Sequence, residues 1–288
     1  MTSAYSLYAP TGPAVPLVID SPHSSNDFPA TVPTCAPKAA LDSGWDAWVD
    51  ELWQGAVAEG AHLLAARFHR SYIDANRSML DIDAELLAQP WPGPISTSEK
   101  TRAGMGLIRR YALPGVPLYD KRLSVPEVQS RLDHYYLPYH HQLKTLLDQA
   151  HARFGAVWHI DCHSMKSVGN AMNIDAGALR PDIVIGDIDH TTALPEFSLW
   201  LADQFRDLGY HVSINRPYKG AELVKAYSNP AARRYSLQIE LNRRLYMDEQ
   251  DFSKHEGFMP LQKHLHEVAR RTADYIRAEL KNSLDFAP

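Results

Sequence analysis

Short apolar runs alternate with longer amphipathic stretches along most of this chain. The apolar runs are continuous and rich in β-branched residues, as expected for strands that are buried on both faces. They predict strands at Val15–Asp20, His62–Phe68, Ala156–Asp161, Asp182–Gly186, His211–Asn215 and Ser236–Glu240. The amphipathic stretches predict helices at Trp45–Glu59, Pro126–Phe154, Leu194–Leu208 and Pro260–Leu280. Such alternation is typical of an α/β protein with a mostly parallel sheet flanked by helices.

No internal repeat, low-complexity tract or linker interrupts this pattern. The densest irregular stretch, Ala88–Thr101, predicts a long surface loop rather than a domain boundary. Hydrophobic residues make up 45% of the 288 positions and charged residues 22%, a composition that is ordinary for a soluble globular protein. We therefore expect residues 1–288 to form a single domain.

Charge and cysteine content narrow the class of protein further. A formal net charge of -5 argues against a nucleic-acid-binding protein, which usually carries a basic stripe. The two cysteines, Cys35 and Cys162, are far apart in sequence, so the predicted compartment is a reducing cytoplasm rather than an oxidising one. No apolar run approaches the ~20 residues that cross a membrane. The segment MTSAYSLYAPTGPAVP also lacks the basic and apolar regions of a signal peptide.

Polar residues follow or end three of the predicted strands. His23 lies three residues after the strand that ends at Asp20, His163 lies two residues after Asp161, and Glu240 ends its own strand. In open α/β sheets, ligands bind beyond the carboxyl ends of the strands. Neutral imidazole is the commonest metal ligand, and catalytic zinc takes three protein ligands and a water molecule. Spacing alone leaves two interpretations open, a metal site and ordinary hydrogen-bonded histidines, with Asp161 as a group that could orient an imidazole.

A third ligand is expected from the predicted helix that begins at Trp45. On its helical wheel Asp46 lies roughly 90° from the centre of the apolar stripe, whereas Asp50 and Glu51 lie roughly 130° away on either side. Asp46 also occupies the first helical turn, where the helix dipole favours a carboxylate. Asp46 is therefore the preferred carboxylate ligand. A helix cap is the alternative interpretation, and Asp50 and Glu51 remain alternative ligands.

Asn76 and Arg77 are candidates for binding a carboxylate. An arginine presents a planar fork that pairs with a carboxylate through two hydrogen bonds, and an adjacent asparagine adds a neutral donor. The alternative interpretation is a surface turn with an exposed arginine.

Taken together, these residues resemble the N-formylglutamate amidohydrolase (formylglutamate deformylase) family from about residue 15 to residue 251. Several segments in the family's order form a more specific signal than any single motif. The segments are SPHSSNDFP at Ser21–Pro29, DAWVDEL at Asp46–Leu52, DANRS at Asp74–Ser78, GLIRR at Gly106–Arg110, RLDHYYLPYH at Arg131–His140, IDCHSM at Ile160–Met165, PYKG at Pro217–Gly220 and LQIELNRRLYMDE at Leu237–Glu249.

The resemblance implies a mixed-sheet α/β fold similar to that of the zinc carboxypeptidases, with one zinc ion held by two histidines and one acid. It implies hydrolysis of N-formyl-L-glutamate, a small dicarboxylate, to L-glutamate and formate, as the last step of a histidine degradation route. The implied roles fall on residues already singled out: His23, Asp46 and His163 as metal ligands, Glu240 as general base, and Asn76 with Arg77 as carboxylate clamp. The second carboxylate requires another cation, for which Arg110, Lys219 and Arg243 are the candidates.

The chain departs from the family pattern at three positions. Ser25 and Ala221 stand where the family usually has glycine, and Tyr235 stands where it commonly has histidine. None of them is a proposed ligand. The stretch Lys219–Tyr235 is the expected wall of the substrate pocket, so these departures concern specificity.

Three other functions remain as alternatives. A carboxypeptidase, or an N-acyl amino acid deacylase of other specificity, would use the same catalytic residues with a different pocket. A serine or cysteine hydrolase would use Cys162 or Ser164, although neither lies in a nucleophile-elbow sequence. A binding protein would keep the fold without catalysis. Tyr136 and His140 are interpreted as packing residues of the long helix, with His140 alternatively able to reach the site.

Overall fold

The computed structural model describes residues 3–171, 173 and 175–285 of the chain. Within them, seven strands form the main sheet and two short strands form a separate hairpin. The strands are β1 Tyr5–Tyr8, β2 Leu17–Ser21, β3 His62–Ala66, β4 Tyr111–Leu113, β5 Val116–Pro117, β6 Val157–Met165, β7 Ile183–Gly186, β8 Val212–Ile214 and β9 Arg234–Asn242.

The order of the main sheet is β1-β3-β2-β6-β9-β7-β8. The four central strands β3, β2, β6 and β9 are parallel. At the two ends of the sheet, β1 pairs antiparallel with β3, β7 pairs antiparallel with β9, and β8 is parallel to β7. The predicted α/β class with a mixed, mostly parallel sheet is therefore confirmed.

Helices cover both faces of the sheet. They are α1 Lys38–Asp42, α2 Val49–Leu52, α3 Glu99–Arg102, α4 Val125–Arg131, α5 Leu137–Phe154, α6 Pro195–Asp207, α7 Glu222–Tyr227 and α8 Phe258–Asp285. A π-helical segment, Leu132–Tyr136, joins α4 to α5. Short 3-10 helices lie at Gln54–Val57, Ala84–Leu86, Pro230–Ala232 and Arg243–Leu245. Among the described residues, no helix combines the length and the apolar character that a membrane crossing requires.

Alternate residues of the central strands point into two separate cores, as the two-residue period of a strand requires. Ile19 and Leu63 pack in the core that contains α6 and α8, whereas Val18 and Leu64 pack in the core that contains α5. Because both faces of these strands are buried, their sequences are continuous apolar runs rather than an alternation of apolar and polar residues.

The pairing of β6 with β9 places two candidate residues side by side. The two parallel strands pair over nine residues, from Val157 opposite Arg234 to Met165 opposite Asn242, and His163 lies directly opposite Glu240. Both strands continue past the predicted ends, so His163 lies inside β6 rather than beyond it. Strand pairing therefore sets the distance between the imidazole and the carboxylate.

The predicted helix Trp45–Glu59 is wrong over most of its length: only Val49–Leu52 is α-helical, and a 3-10 helix follows at Gln54–Val57. Residues 45–48 are not helical, and the four-residue helix α2 begins only after Trp48, which has a positive φ of 65°. Tertiary hydrogen bonds outweigh helix propensity there, because the Trp45 indole donates to the carbonyl of Ser24 over 2.6 Å. The helical wheel therefore does not describe Asp46.

Three strands have no counterpart in the prediction. β1 is a partly exposed edge strand of four residues, and β4 and β5 form a minimal hairpin around Gly115. Runs this short and this exposed lack the continuous apolar pattern that reveals the central strands.

Candidate active site

Three buried side chains converge at the carboxyl ends of β2 and β6. His23 lies on the turn after β2 and His163 lies in β6. Asp46 lies in the loop before α2, where its backbone N–H donates to the carbonyl of His23 over 3.0 Å. That hydrogen bond, rather than a helical face, aims Asp46 at the two imidazoles. None of the three residues is more than 3% exposed.

The three ligand atoms have the spacing of a tetrahedral metal site. His23 Nδ1 lies 3.0 Å from His163 Nδ1. Asp46 Oδ2 lies 3.1 Å from His163 Nδ1 and 3.5 Å from His23 Nδ1. Bonds of 2.0–2.1 Å in a tetrahedral zinc site place ligand atoms about 3.3–3.4 Å apart. The donor set of two nitrogens and one oxygen also suits zinc, so these residues fit the ion that the sequence implies.

Each imidazole is oriented by a carboxylate behind it. His23 Nε2 donates to Asp74 Oδ1 over 2.7 Å, and His163 Nε2 lies 2.7 Å from Asp161 Oδ1. These contacts direct each Nδ1 toward the other ligands, and a metal bound there would displace any proton that Nδ1 carries. A carboxylate behind a ligating histidine fixes its tautomer and raises its basicity. Asp161 therefore lies where a group that orients the His163 imidazole is expected, and Asp74 lies in the same position relative to His23.

The buried acids and histidines of the cluster shift one another's pKa values. Burial opposes ionisation of Asp46, but its hydrogen bonds with His163 and His23 outweigh burial and hold the pKa of the carboxyl well below its ordinary value. Burial also opposes a charge on His163, but Asp161 and Asp46 raise the pKa of that imidazole well above its ordinary value. Asp46 is thus a carboxylate at neutral pH, as a metal ligand must be.

Glu240 faces the same cavity from β9. The side-chain amide of Gln238, two residues earlier on the same face of the strand, donates to Glu240 Oε1 over 2.8 Å. Burial raises the pKa of Glu240 to about 7, with His163 opposing and Asp46 adding to the rise. A general base works best with a pKa near the working pH, so the environment of Glu240 suits proton transfer.

The cluster opens into two adjoining cavities. The main cavity has a volume of about 200 Å³ and includes His163, Glu240, Asn76 and Arg77 in its lining. The second cavity, of about 120 Å³, lies on the side of Asp46. Cationic side chains dominate both linings: Arg70, Arg77, Lys100, Arg109 and Lys219 in the first, and Arg70, Arg109, Lys166, Arg180 and Arg243 in the second. The site is locally positive although the chain carries a net charge of -5.

Asn76 and Arg77 both line the main cavity, but they differ in what they can offer a ligand. Asn76 Nδ2 donates to Asp161 Oδ2 over 2.9 Å, and its Oδ1 accepts from the backbone N–H of Leu223. Arg77 donates from Nε to the carbonyl of Met105 and from Nη1 to the carbonyl of Asn76, while its Nη2 makes no hydrogen bond to the described part of the chain. Arg77 is thus the available carboxylate donor, and Asn76 belongs to the frame around the metal ligands.

The three cations considered for a second carboxylate lie in different places. Arg243 donates to Asp46 Oδ1 over 2.9 Å and also to Ser164 and Ser43, so its guanidinium is engaged in holding the ligand cluster. Lys219 lines the main cavity, but its exposed side chain pairs with Asp189.

Arg110 does not lie in either cavity. Its guanidinium pairs with Asp83 and Glu85 on the opposite side of the segment, so the structure does not bring it to the site. Its neighbour Arg109 points inward instead and lines both cavities.

Sequence reasoning missed Arg109. Its side chain is only 11% exposed, and its Nε has no hydrogen-bond partner among the described residues. Asp74, 4.0 Å away, is its sole ion-pair partner in that part of the chain, and both Asp74 oxygens already accept hydrogen bonds from His23 and Arg70. Burial, helped by Arg70 and Arg77 and only partly offset by Asp74, lowers the pKa of Arg109 to about 9. The segment GLIRR indicated that an arginine from this part of the chain belongs to the site, but its sequence does not show which of the two arginines faces inward.

The alternative metal ligands have other partners, and of the two alternative nucleophiles Ser164 lines both cavities and accepts a hydrogen bond from Arg243. Asp50 pairs with Arg67, and Glu51 pairs with Lys254. Cys162 is fully buried, and burial raises the pKa of its thiol well above the ordinary value, which disfavours a nucleophilic thiolate.

The expected pocket wall Lys219–Tyr235 is shorter than predicted. Lys219, Gly220 and Ala221 line the main cavity, whereas Tyr235 packs in the core with its ring 5.2 Å from that of Trp158. Tyr235 begins the buried part of β9 and points away from the site, so only the departure at Ala221 touches the cavity.

Two comparisons of the sequence with known proteins agree on one family. The sequence model of the N-formylglutamate amidohydrolase family matches residues 15–247. An N-formylglutamate deformylase from Pseudomonas putida is 28% identical over 241 residues, which cover 82% of this chain and 83% of that protein.

Solved structures extend this likeness. The crystal structure of an N-formylglutamate amidohydrolase from Ralstonia eutropha JMP134 superposes with a TM-score of 0.92 at 43% identity, covering 96% of this chain and 99% of the other. A gene product of Agrobacterium tumefaciens superposes with a TM-score of 0.65 at 17% identity over 96% of each chain, a likeness of fold alone.

Proposed function

Because the chain belongs to the N-formylglutamate amidohydrolase family and is thus a hydrolase of an amide bond, we propose that it hydrolyses N-formyl-L-glutamate to L-glutamate and formate with a bound zinc ion. One observation carries the proposal: two Nδ1 atoms and one carboxylate oxygen converge at the boundary of a cation-lined cavity that Glu240 also lines. The degradation route, the cytoplasmic location and the single-domain organisation over residues 1–288 stay predictions.

The residues that would hold the metal are His23, Asp46 and His163. A zinc ion at such a site lowers the pKa of water toward ~7 and polarises a carbonyl oxygen. Asp74 and Asp161 keep the two imidazoles in the tautomer that binds metal, and Arg243 fixes the other oxygen of Asp46. The chain thus supplies both the ligands and the groups that hold them in place.

Glu240 is the proposed general base and general acid. Its carboxylate takes a proton from the attacking water as the new C–O bond forms at the formyl carbon. The same carboxyl group then returns the proton to the amide nitrogen as the C–N bond breaks, so that formate and the free amine leave. Gln238 holds Glu240 Oε1 and leaves Oε2 for the proton.

Two arginines are proposed to bind the two carboxylates of the substrate. Arg77 takes one, because it lines the main cavity and its Nη2 makes no hydrogen bond to the described residues. Arg109 takes the other in place of Arg110, because it is a buried cation that lines both cavities and has no hydrogen-bonded counter-anion in the described part of the chain. Holding the substrate at two points aligns the formyl carbon with the reacting groups.

The adjacent arginines provide a matched test of this assignment. We expect Arg109→Gln to reduce kcat/KM for N-formyl-L-glutamate by about 10²-fold, since a charge-assisted hydrogen bond in a desolvated site is lost. Arg110→Gln should stay within about threefold of the wild type, because its ion-pair partners Asp83 and Glu85 lie outside both cavities. The measurement is kcat/KM of both variants from steady-state kinetics. Equal effects, or a larger effect at Arg110, would reject Arg109 as the residue that binds the second carboxylate.

The proposed function itself is tested by metal analysis coupled to formate release. We expect about one zinc ion per chain and release of formate from N-formyl-L-glutamate. A chelator should abolish turnover and added zinc should restore it. A panel of N-formyl, N-acetyl, N-succinyl and N-carbamoyl amino acids distinguishes other deacylases, and a thiol reagent distinguishes a cysteine hydrolase. Tight binding of N-formyl-L-glutamate without formate release would instead identify a binding protein.

A further inference from the structure

The segment RLDHYYLPYH contributes no residue to the mechanism above, yet its backbone is unusual. It contains the π-helical turn Leu132–Tyr136 within an otherwise continuous helix from Val125 to Phe154. Pro138 lies two residues after this turn, and a proline can neither donate a helical hydrogen bond nor tolerate a regular turn against the carbonyl four residues earlier. A π-turn shifts the angular position of all later side chains, and such turns are frequent at functional sites. The positions that follow this turn are therefore of interest.

Tyr136 and His140, one helical turn apart, reach the two carbonyl groups on either side of Asn76. The Tyr136 hydroxyl donates to the carbonyl of Arg77 over 2.9 Å. His140 Nε2 donates to the carbonyl of Ala75 over 2.9 Å. The two rings stack on each other with their centroids 4.0 Å apart. The pair therefore holds the peptide group before Asn76 and the peptide group after Arg77, so that the two hydrogen bonds bracket the dipeptide Asn76–Arg77.

The protonation states of the pair suit this role. Burial lowers the pKa of His140 to about 4, so its imidazole is neutral at pH 7. Its Nδ1 accepts from the Tyr227 hydroxyl over 2.8 Å, which leaves the proton on Nε2 as the donor to Ala75. Tyr227 belongs to α7, so the same contact connects the long helix to the element behind the cavity wall.

Asn76 is a junction between both imidazole-orienting carboxylates. Its backbone N–H donates to Asp74 Oδ1 over 2.9 Å, the oxygen that also accepts from His23. Its Nδ2 donates to Asp161 Oδ2, the carboxylate behind His163. The peptide group after Asn76 leads directly to Arg77. A small rotation of the Asn76 backbone would therefore move the substrate clamp and the frame of the metal ligands together.

We propose that Tyr136 and His140 are positioning residues of the active site, which hold the peptide group before Asn76 and the peptide group after Arg77 and thereby set Arg77 and the metal-ligand frame. The part that concerns Arg77 rests on the proposed function. The part that concerns the metal frame does not require any particular substrate.

The test uses Tyr136→Phe, which keeps the ring stack and removes only the donor. Tyr135→Phe is the matched control, because the Tyr135 hydroxyl makes no hydrogen bond within the described part of the chain while its ring packs against Phe68 and Tyr72. His140→Leu removes the second donor, and His140→Gln restores an N–H group at that position. Each full-length variant is measured for kcat and KM with N-formyl-L-glutamate, for zinc affinity of the apoprotein, and for melting temperature.

We expect Tyr136→Phe to raise KM about tenfold with a smaller change in kcat, and to weaken zinc binding severalfold. Its melting temperature should stay close to that of Tyr135→Phe, which should match the wild type in kinetics and zinc affinity. His140→Gln should recover part of what His140→Leu loses. Tyr136→Phe with unchanged KM and zinc affinity, or with losses that follow a fall in melting temperature, overturns the proposal.

Failure of the proposed function can be distinguished from failure of the positioning role. If the wild type releases no formate from N-formyl-L-glutamate, the proposed function fails and zinc affinity alone decides the positioning role. Weaker zinc binding in Tyr136→Phe than in Tyr135→Phe then supports it, and equal zinc binding overturns it.

Discussion

Glu240→Gln should leave zinc content unchanged while kcat falls by about 10²–10⁴-fold, the range that general acid–base catalysis contributes. The carboxamide has the size of the carboxylate and its oxygen can still accept the hydrogen bond from Gln238. It cannot take a proton from water, however. Glu240 contributes no atom to the convergence of His23, Asp46 and His163, so the metal should remain bound.

Glu249→Gln is the matched control for this variant. The Glu249 carboxylate also accepts a backbone hydrogen bond, from Ser167, but it lies outside both cavities. Its replacement should leave kcat and zinc content near wild-type values. Wild-type turnover in Glu240→Gln would remove Glu240 as the base, and joint loss of zinc and turnover would make it a metal ligand instead. Single-turnover kinetics with metal analysis separate these outcomes.

Asp46→Ala should weaken zinc binding by more than the roughly 10–100-fold that loss of an orienting group costs, because a direct ligand is removed. Turnover should fall with zinc occupancy. Since Asp46 also pairs with Arg243, Asp46→Asn serves as a second variant that keeps a hydrogen-bond acceptor for the guanidinium and removes the charge. Equilibrium zinc titration, with a melting curve to check folding, measures the effect.

The neighbouring acids are the controls for the third ligand. Asp50→Ala and Glu51→Ala remove partners of Arg67 and Lys254 at or near the surface, where ion pairs contribute ~0–1 kcal/mol. Both variants should keep zinc and activity. Zinc retained in Asp46→Ala but lost in either neighbour would contradict the assignment and place the third ligand elsewhere.

The central strands could be predicted because burial on both faces leaves a continuous apolar run, and their ends pointed to His23, His163 and Glu240. Asp46 was selected by a helical wheel for a turn that is not helical. Its position actually depends on a backbone hydrogen bond to His23, a contact between segments that periodicity does not encode. The structure therefore brings Asp46 to the two histidines by a different route from the helical face that the sequence suggested.

Side-chain direction outside regular elements was the least predictable property. Arg109 and Arg110 are adjacent and chemically identical, and only the fold turns one toward the cavity and the other toward Asp83 and Glu85. The contacts of Tyr136 and His140 depend on a π-turn, which breaks the regular 3.6-residue period on which the sequence reading relied.

The distance along the chain between the metal ligands has a consequence for folding. His23 and His163 are separated by 140 positions, and they meet only when β2 and β6 have paired. An unfolded chain therefore presents no preformed site, and binding free energy at such a site adds to the stability of the folded state. If the three residues hold a metal as proposed, metal supply and correct strand pairing would depend on each other: the ion would favour the paired sheet, and a chain with mispaired strands would lack the geometry to retain it.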